Sequence, residues 1–221
     1  MRNEIQSKSP RALYNVAGLF FALFIILGGM VIAQVPLVHE FDQAIFNFLK
    51  PMDSSATISF MTHLSAIGSP SFNTVLVVLI VAGLFIFRYF REGVFIFITF
   101  FGGSAFALMI KLLVKRPRPS GKLVVDTGYS FPSGHVFTTA MIAFAFAFLI
   151  YRKTNSVLAH DITFVLAVIW VLAIGTARVF LRDHYPSDVL GSILLAGAVL
   201  CLAVGLLRQV SAKYQLTASR H

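Results

Sequence analysis

Lys111, Arg118, His135, Arg178, His184 and Asp188 have the residue types and spacing needed to hold a tetrahedral dianion and to move a phosphoryl group. Three of them are fixed cations. Arginine offers a planar fork that matches phosphate oxygens and lysine a compact charge, so the set reads as a clamp offsetting charge that builds up in the transition state. Ser133 and Gly134 open an apolar helical run, where first-turn N–H groups and the helix dipole attract an anion and glycine lets the backbone come close. Two histidines permit a division of labour, since a neutral imidazole can attack phosphorus while a protonated one donates to the leaving oxygen. Asp188 stands four residues after His184, and Pro186 between them favours a first helical turn, so the carboxylate is placed to accept the ring N–H and fix its tautomer. On that ground His184 is expected to be the nucleophile and His135 the general acid, although the residues alone also permit the reverse.

The same residues fall into three clusters. The first runs Lys111-Leu-Leu-Val-Lys-Arg-Pro-Arg118-Pro119, the second Pro132-Ser133-Gly134-His135, and the third Arg178-Val-Phe-Leu-Arg-Asp-His184-Tyr-Pro-Ser-Asp188. Together they resemble the signature of the type 2 phosphatidic acid phosphatase superfamily, KxxxxxxRP, PSGH and SRxxxxxHxxxD. One position departs: Ala177 stands where that family usually has serine, which removes a hydroxyl contact to phosphate and leaves every charged or proton-transferring group in place. The resemblance implies a lipid phosphatase that works through a phosphohistidine on the third-cluster histidine, with water completing hydrolysis and neither metal nor other cofactor required. The short six-span form is most similar to bacterial members acting on phosphatidylglycerophosphate or undecaprenyl pyrophosphate; phosphatidic acid is a further candidate substrate.

These residues need a scaffold, and composition says which. Hydrophobic residues make up 57% of the 221 positions and charged residues 12%, with a mean hydropathy of +0.83, against roughly 25% charged in ordinary soluble domains. An all-α integral membrane protein is expected, because a backbone in lipid satisfies its own hydrogen bonds most simply as helix. Six stretches are long and apolar enough to span: about 15–38, 72–90, 94–114, 133–151, 162–179 and 188–207. Between the first two, Phe41–Leu49 and Ile58–Ile67 carry apolar residues at helical spacing around Pro51 and Asp53, and the stripe Phe41, Ile45, Phe48, Leu49 points to short interfacial helices. No repeat or linker divides the chain, so positions 1–221 are expected to form one membrane-embedded domain.

With the N-terminus inside, all three clusters fall on the outer face. Ten of the eighteen lysines and arginines then lie inside: Arg2, Lys8, Arg11, Arg88, Arg91, Arg152, Lys153, Arg208, Lys213 and Arg220. Setting aside the three outside cations that chemistry demands leaves ten against five, which favours cytoplasmic termini in a bacterial cell membrane. The net charge of +9 invites comparison with nucleic-acid binders, but the cations sit at the edges of apolar runs without interleaved aromatics. Nucleic acid is therefore not an expected partner; membrane lipids and a lipid phosphate are, and oligomeric state is not legible.

Each residue alone has a plainer reading. A lysine or arginine near a span end usually snorkels, an acid in a first helical turn serves the dipole, and Pro-Ser-Gly is a common turn. Those readings do not predict two histidines, three cations and an acid on one face. Lys115, Arg116, Lys122 and Arg182 are assigned to a solvated or head-group face, and Asp183 is set aside because neighbours at a helix start seldom face one another. Cys201 lies in an apolar run and reads as packing. The alternatives are an anion transporter or channel, which requires charges along a pathway rather than at one end, and a phosphatase of a soluble ester.

Overall fold

The structure, a computed structural model, describes residues 10–218, with side chains described through position 212. Arg2, Lys8, Arg220 and His221 lie outside the described residues, as does the side chain of Lys213. Eight α-helices follow in chain order: α1 Pro10–Ile32, α2 Pro36–Leu49, α3 Ser55–Ile67, α4 Pro70–Ile86, α5 Phe90–Val114, α6 Gly134–Lys153, α7 Val157–Phe180 and α8 Pro186–Ala218, with a 3₁₀ turn at Lys50–Met52. Six helical segments are long and apolar enough to cross a membrane, and no strand occurs among the described residues. The all-helical, six-span architecture with two short helices after the first span is the one expected from the sequence.

Boundaries shift for local reasons. The first helix starts at Pro10 and ends at Ile32, six residues short of the expected 38. There the Val35 N–H bonds the Met30 carbonyl and the Gln34 N–H bonds that of Val31, while Gln34 takes a positive φ of 53°. This is a Schellman stop, and Pro36 then opens α2 at once. In α2, Val38 and Asp42 are buried one turn apart whereas Phe41 and Phe48 are exposed, so the apolar stripe faces outward as expected of a helix lying at an interface. Helices α3 and α4 are nearly continuous, separated by Gly68 and the N-cap Ser69.

The most enclosed helix is α6. Nine of its residues, from Val136 to Phe148, are buried against α4, α5, α7 and α8. Helix α1 runs along α8, where glycines let aromatic rings sit on the backbone: an added Cβ at Gly205 would lie 2.6 Å from the Tyr14 ring, and at Gly197 3.2 Å from that of Phe20. Small residues serve membrane helices in this way because close packing, rather than expulsion of water, drives their association. The C-terminal ends of α5 and α7 and the N-terminal ends of α6 and α8 meet at one end of the bundle, as the contacts below show.

Candidate active site

Each cluster is placed by the way a helix stops or starts. Helix α5 ends where Lys115 takes a positive φ of 51° and its N–H bonds the Lys111 carbonyl, releasing the chain into the loop 115–133. Lys111 occupies the last turn, and its Nζ donates to the Tyr129 carbonyl at 2.9 Å. Ser133 caps α6, its Oγ facing the Val136 N–H at 3.5 Å, as its position before Gly134 and His135 suggested. A Cβ added at Gly134 would meet only Pro70, at an ordinary 3.6 Å, so protein packing does not require glycine there.

The third cluster depends on a Schellman turn ending α7. Arg182 takes a positive φ of 53°, and the Arg178 carbonyl accepts the N–H groups of Asp183 and His184 at 3.2 and 3.3 Å. That turn folds the six-residue interval back, so that His184 lies beside the arginines. Helix α8 then begins with Pro186 at its first position, and Asp188 in its first turn accepts the Tyr185 N–H at 2.9 Å, half of a capping box.

The predicted residues converge through shared partners. His184 is 1% exposed, with Nε2 3.5 Å from Arg118 Nη1 and 3.6 Å from Asp183 Oδ2. Arg178 donates to Ser65 Oγ at 2.7 Å and to Asp126 Oδ2 at 2.7 Å, and it pairs with Asp183. Arg118 also pairs with Asp183, lies 3.4 Å from Asp126, and reaches the carbonyls of Thr127 at 2.8 Å and Gly128 at 3.2 Å. His135, Arg178, Asp126 and Ser65 line one open cavity of about 230 Å³ together with Thr62, Ala66 and Leu181. Burial, reinforced by Arg178, Lys111 and Arg118, pushes the His184 imidazole well below the ordinary histidine range. It is therefore neutral near pH 7.

Asp188 sits where the spacing placed it but does less than expected with the ring. Its Oδ2 lies 3.5 Å from His184 Nδ1, beyond good hydrogen-bonding length, and Nδ1 is a buried atom lacking a hydrogen-bond partner. The carboxylate is held instead by Arg116 Nη1 at 2.6 Å and by the Tyr185 N–H. Arg116, expected on a solvated face, is thus turned inward, and its other nitrogen meets buried Asp42 of α2 at 2.8 Å. Burial opposes its charge, but Asp188 and Asp42 raise its pKa above the usual value. Asp183 differs too: adjacency to His184 did not keep it away, because the Schellman turn reverses the chain between them and Arg178.

Two further partners gave little sequence signal. Asp42 sits in a helix whose apolar stripe is the visible feature, and Ser65 is one of several hydroxyls in α3. Their burial is visible only in three dimensions. Ala177 is fully buried, while the hydroxyl at Arg178 comes from Ser65 on another helix.

Fold and site together define a polytopic helical membrane protein with arginines, carboxylates and two histidines gathered at one end of the bundle. Residues 92–211 match the PAP2 superfamily, and the chain belongs to that family. It is a membrane phosphatase of lipid phosphates. Among its relatives, phosphatidylglycerophosphatase B of Bacillus subtilis strain 168 is 27% identical over 195 residues, covering 87% of this chain and 95% of that one. The lipid A 1-phosphatase of Rhizobium etli is 29% identical over 119 residues, 48% of this chain and 46% of the other. The crystal structure of a transmembrane PAP2-type phosphatidylglycerolphosphate phosphatase from Bacillus subtilis superposes with a TM-score of 0.74 at 25% identity, covering 90% of this chain and 96% of that one.

Proposed function

We propose that the protein removes phosphate from a membrane lipid through a covalent intermediate on His184. One observation carries this reading: a fully buried imidazole whose Nδ1 lies 3.5 Å from the Asp188 carboxylate while its Nε2 lies 3.5 Å from Arg118 Nη1. With the Nδ1 proton turned toward Asp188, the lone pair lies on Nε2. Nε2 attacks phosphorus and the P–O bond to the lipid breaks, while His135, which takes up a proton as the phosphate dianion binds beside it, donates that proton to the departing oxygen. Water then attacks the phosphohistidine, His135 takes its proton, the N–P bond breaks and phosphate leaves. Lys111, Arg118, Arg178 and the first turn of α6 at Ser133 and Gly134 hold the phosphoryl oxygens. No step calls on a metal ion.

A phosphomonoester of a glycerophospholipid, phosphatidylglycerophosphate first, is the favoured substrate, because the relative of that specificity matches along nearly all of both chains. Undecaprenyl pyrophosphate and phosphatidic acid are the competitors. The clustering of charge at one end supports an enzyme over a transport pathway. We place the active site at the outer face of a bacterial membrane, with cytoplasmic termini, on the distribution of cations, and we read the chain as one domain.

The deciding experiment traps the phosphoenzyme from a ³²P-labelled substrate by acid-free quench. His184→Ala should yield none, whereas His135→Ala should still label from a substrate with a good leaving group; label on the His184 variant would overturn the assignment. Phosphate release from phosphatidylglycerophosphate, phosphatidic acid, undecaprenyl pyrophosphate and glucose 6-phosphate, each with and without EDTA, ranks the substrates. Loss of turnover with EDTA that added metal restores would refute the metal-free mechanism.

A further inference from the structure

Arg116 is not a fixed position of the three-cluster signature, yet it is the cation that ties Asp188 to α2. Asp188 and Asp42 are both fully buried, on α8 and α2, and each places a carboxylate oxygen on one arm of the Arg116 guanidinium, at 2.6 and 2.8 Å. The same arm that meets Asp188 also donates to Ser187 Oγ at 2.8 Å. Asp42 is anchored in turn. The Ser187 backbone N–H donates to its Oδ1 at 2.8 Å and the Ser187 hydroxyl to its Oδ2 at 2.7 Å. Beneath the guanidinium, 3.9 Å from its carbon, lies the Tyr185 ring, which packs on Phe46 of α2. The planar fork therefore has carboxylates on its edge and an aromatic face below it, a setting that lysine cannot reproduce.

That geometry divides the labour on Asp188. Arg116 takes Oδ1, which leaves Oδ2 to the Tyr185 N–H and to the side on which His184 Nδ1 lies at 3.5 Å. A carboxylate buried without a cation would turn or take up a proton, and in either case it would stop directing the imidazole. We propose that Arg116, braced by Asp42, is a positioning residue that aims Asp188 at the His184 ring and so sets the reactivity of the nucleophile without touching the substrate. The inference rests on the reading of His184 and Asp188 given above. It also gives α2 a task in catalysis, since Asp42 couples that short helix to the nucleophile.

A double-mutant cycle on the purified full-length protein tests it, with dioctanoyl phosphatidic acid in detergent micelles as substrate and orthovanadate as a phosphate-site probe. Arg116→Gln should lower kcat by about 10- to 100-fold, the range typical of groups that orient a reacting ligand from behind, while KM and vanadate inhibition stay within about twofold. Arg116→Lys should recover little. Asp188→Asn should lower kcat at least as far, and adding Arg116→Gln to it should lower kcat no further. Asp42→Asn should give a smaller loss of kcat that likewise vanishes in the Asp188→Asn background, and it carries the test if Arg116→Gln does not fold. Losses that multiply in the double variant, an effect of Arg116→Gln on KM alone, or full activity in both Arg116→Gln and Asp42→Asn would overturn the role of Arg116. Asp188→Asn with wild-type kcat would overturn that role and the underlying assignment together.

Discussion

Asp126 lies between Arg118 and Arg178, 3.4 and 2.7 Å from their nitrogens, so two of the three cations expected on a phosphate are met by a carboxylate of their own chain. Burial by itself would raise its pKa, but Arg118, the Thr127 N–H, Arg178 and His135 together hold it below the usual carboxylate value. At neutral pH it is ionised. Asp126 belongs to the loop 115–133, its side chain is 30% exposed, and it lines the cavity, so a phosphate held by these arginines, as proposed, would compete with it directly. Asp183, fully buried on the same arginines, is part of the fixed frame instead. Replacing Asp126 by Asn should tighten orthovanadate inhibition and lower KM by roughly fivefold, about 1 kcal/mol for a partly solvated pair. Weaker or unchanged inhibition would mean that Asp126 is not displaced by substrate.

Among the elements, the junction of α3 with α4 leaves little room for change next to the site. Gly68 ends α3 so close to α7 that an added Cβ would stand 2.7 Å from Ile174, which is fully buried. Three residues earlier, Ser65 delivers its hydroxyl to Arg178. Across the junction, the buried Asn73 amide donates to the Gly68 carbonyl at 3.2 Å and to Thr138 and Thr139 of α6 at 3.0 and 3.1 Å, locking α4 to the helix that starts with the Ser133 cap. Gly68→Ala should therefore destabilise the protein by about 1–3 kcal/mol through overpacking and reduce turnover by displacing Ser65. Thermal unfolding in detergent measures the first effect, and adding Ile174→Val should restore part of both. If the double variant regains nothing, contact with α7 is not the cause.

For the molecule as a whole, alternating helices carry the two ends of the bundle to opposite sides of the bilayer. The site gathers one set of loops. The other end is marked by the Arg152–Glu92 pair at 3.0 Å and by Lys153 over the Tyr89 ring at 3.2 Å. The topology proposed above, drawn from the cation bias, would put that second end in the cytoplasm. In a Cys201→Ala background, Lys122→Cys in the site-side loop should react with a membrane-impermeant maleimide added to intact cells, and Lys153→Cys should react only after the membrane is opened. The reverse pattern would move the active site to the inner face.

Much of this protein is written in local order. Apolar runs of spanning length determine a helical membrane protein, because lipid leaves the backbone no other partner than itself, and cap and stop residues such as Ser133 and Pro186 mark where those helices begin. The spacing of Lys111, Arg118, His135, Arg178, His184 and Asp188 likewise identifies a phosphate chemistry, since few other tasks need that set on one face. What only the tertiary structure decided is which charges meet. Arg116 and Asp42 lie 74 positions apart and Ser65 and Arg178 113 apart, and no periodicity links such pairs. Whether a cation faces head groups or a buried acid depends on how helices cross and how turns such as the one at Arg182 reverse the chain. Those outcomes belong to packing, which no stretch of sequence encodes by itself.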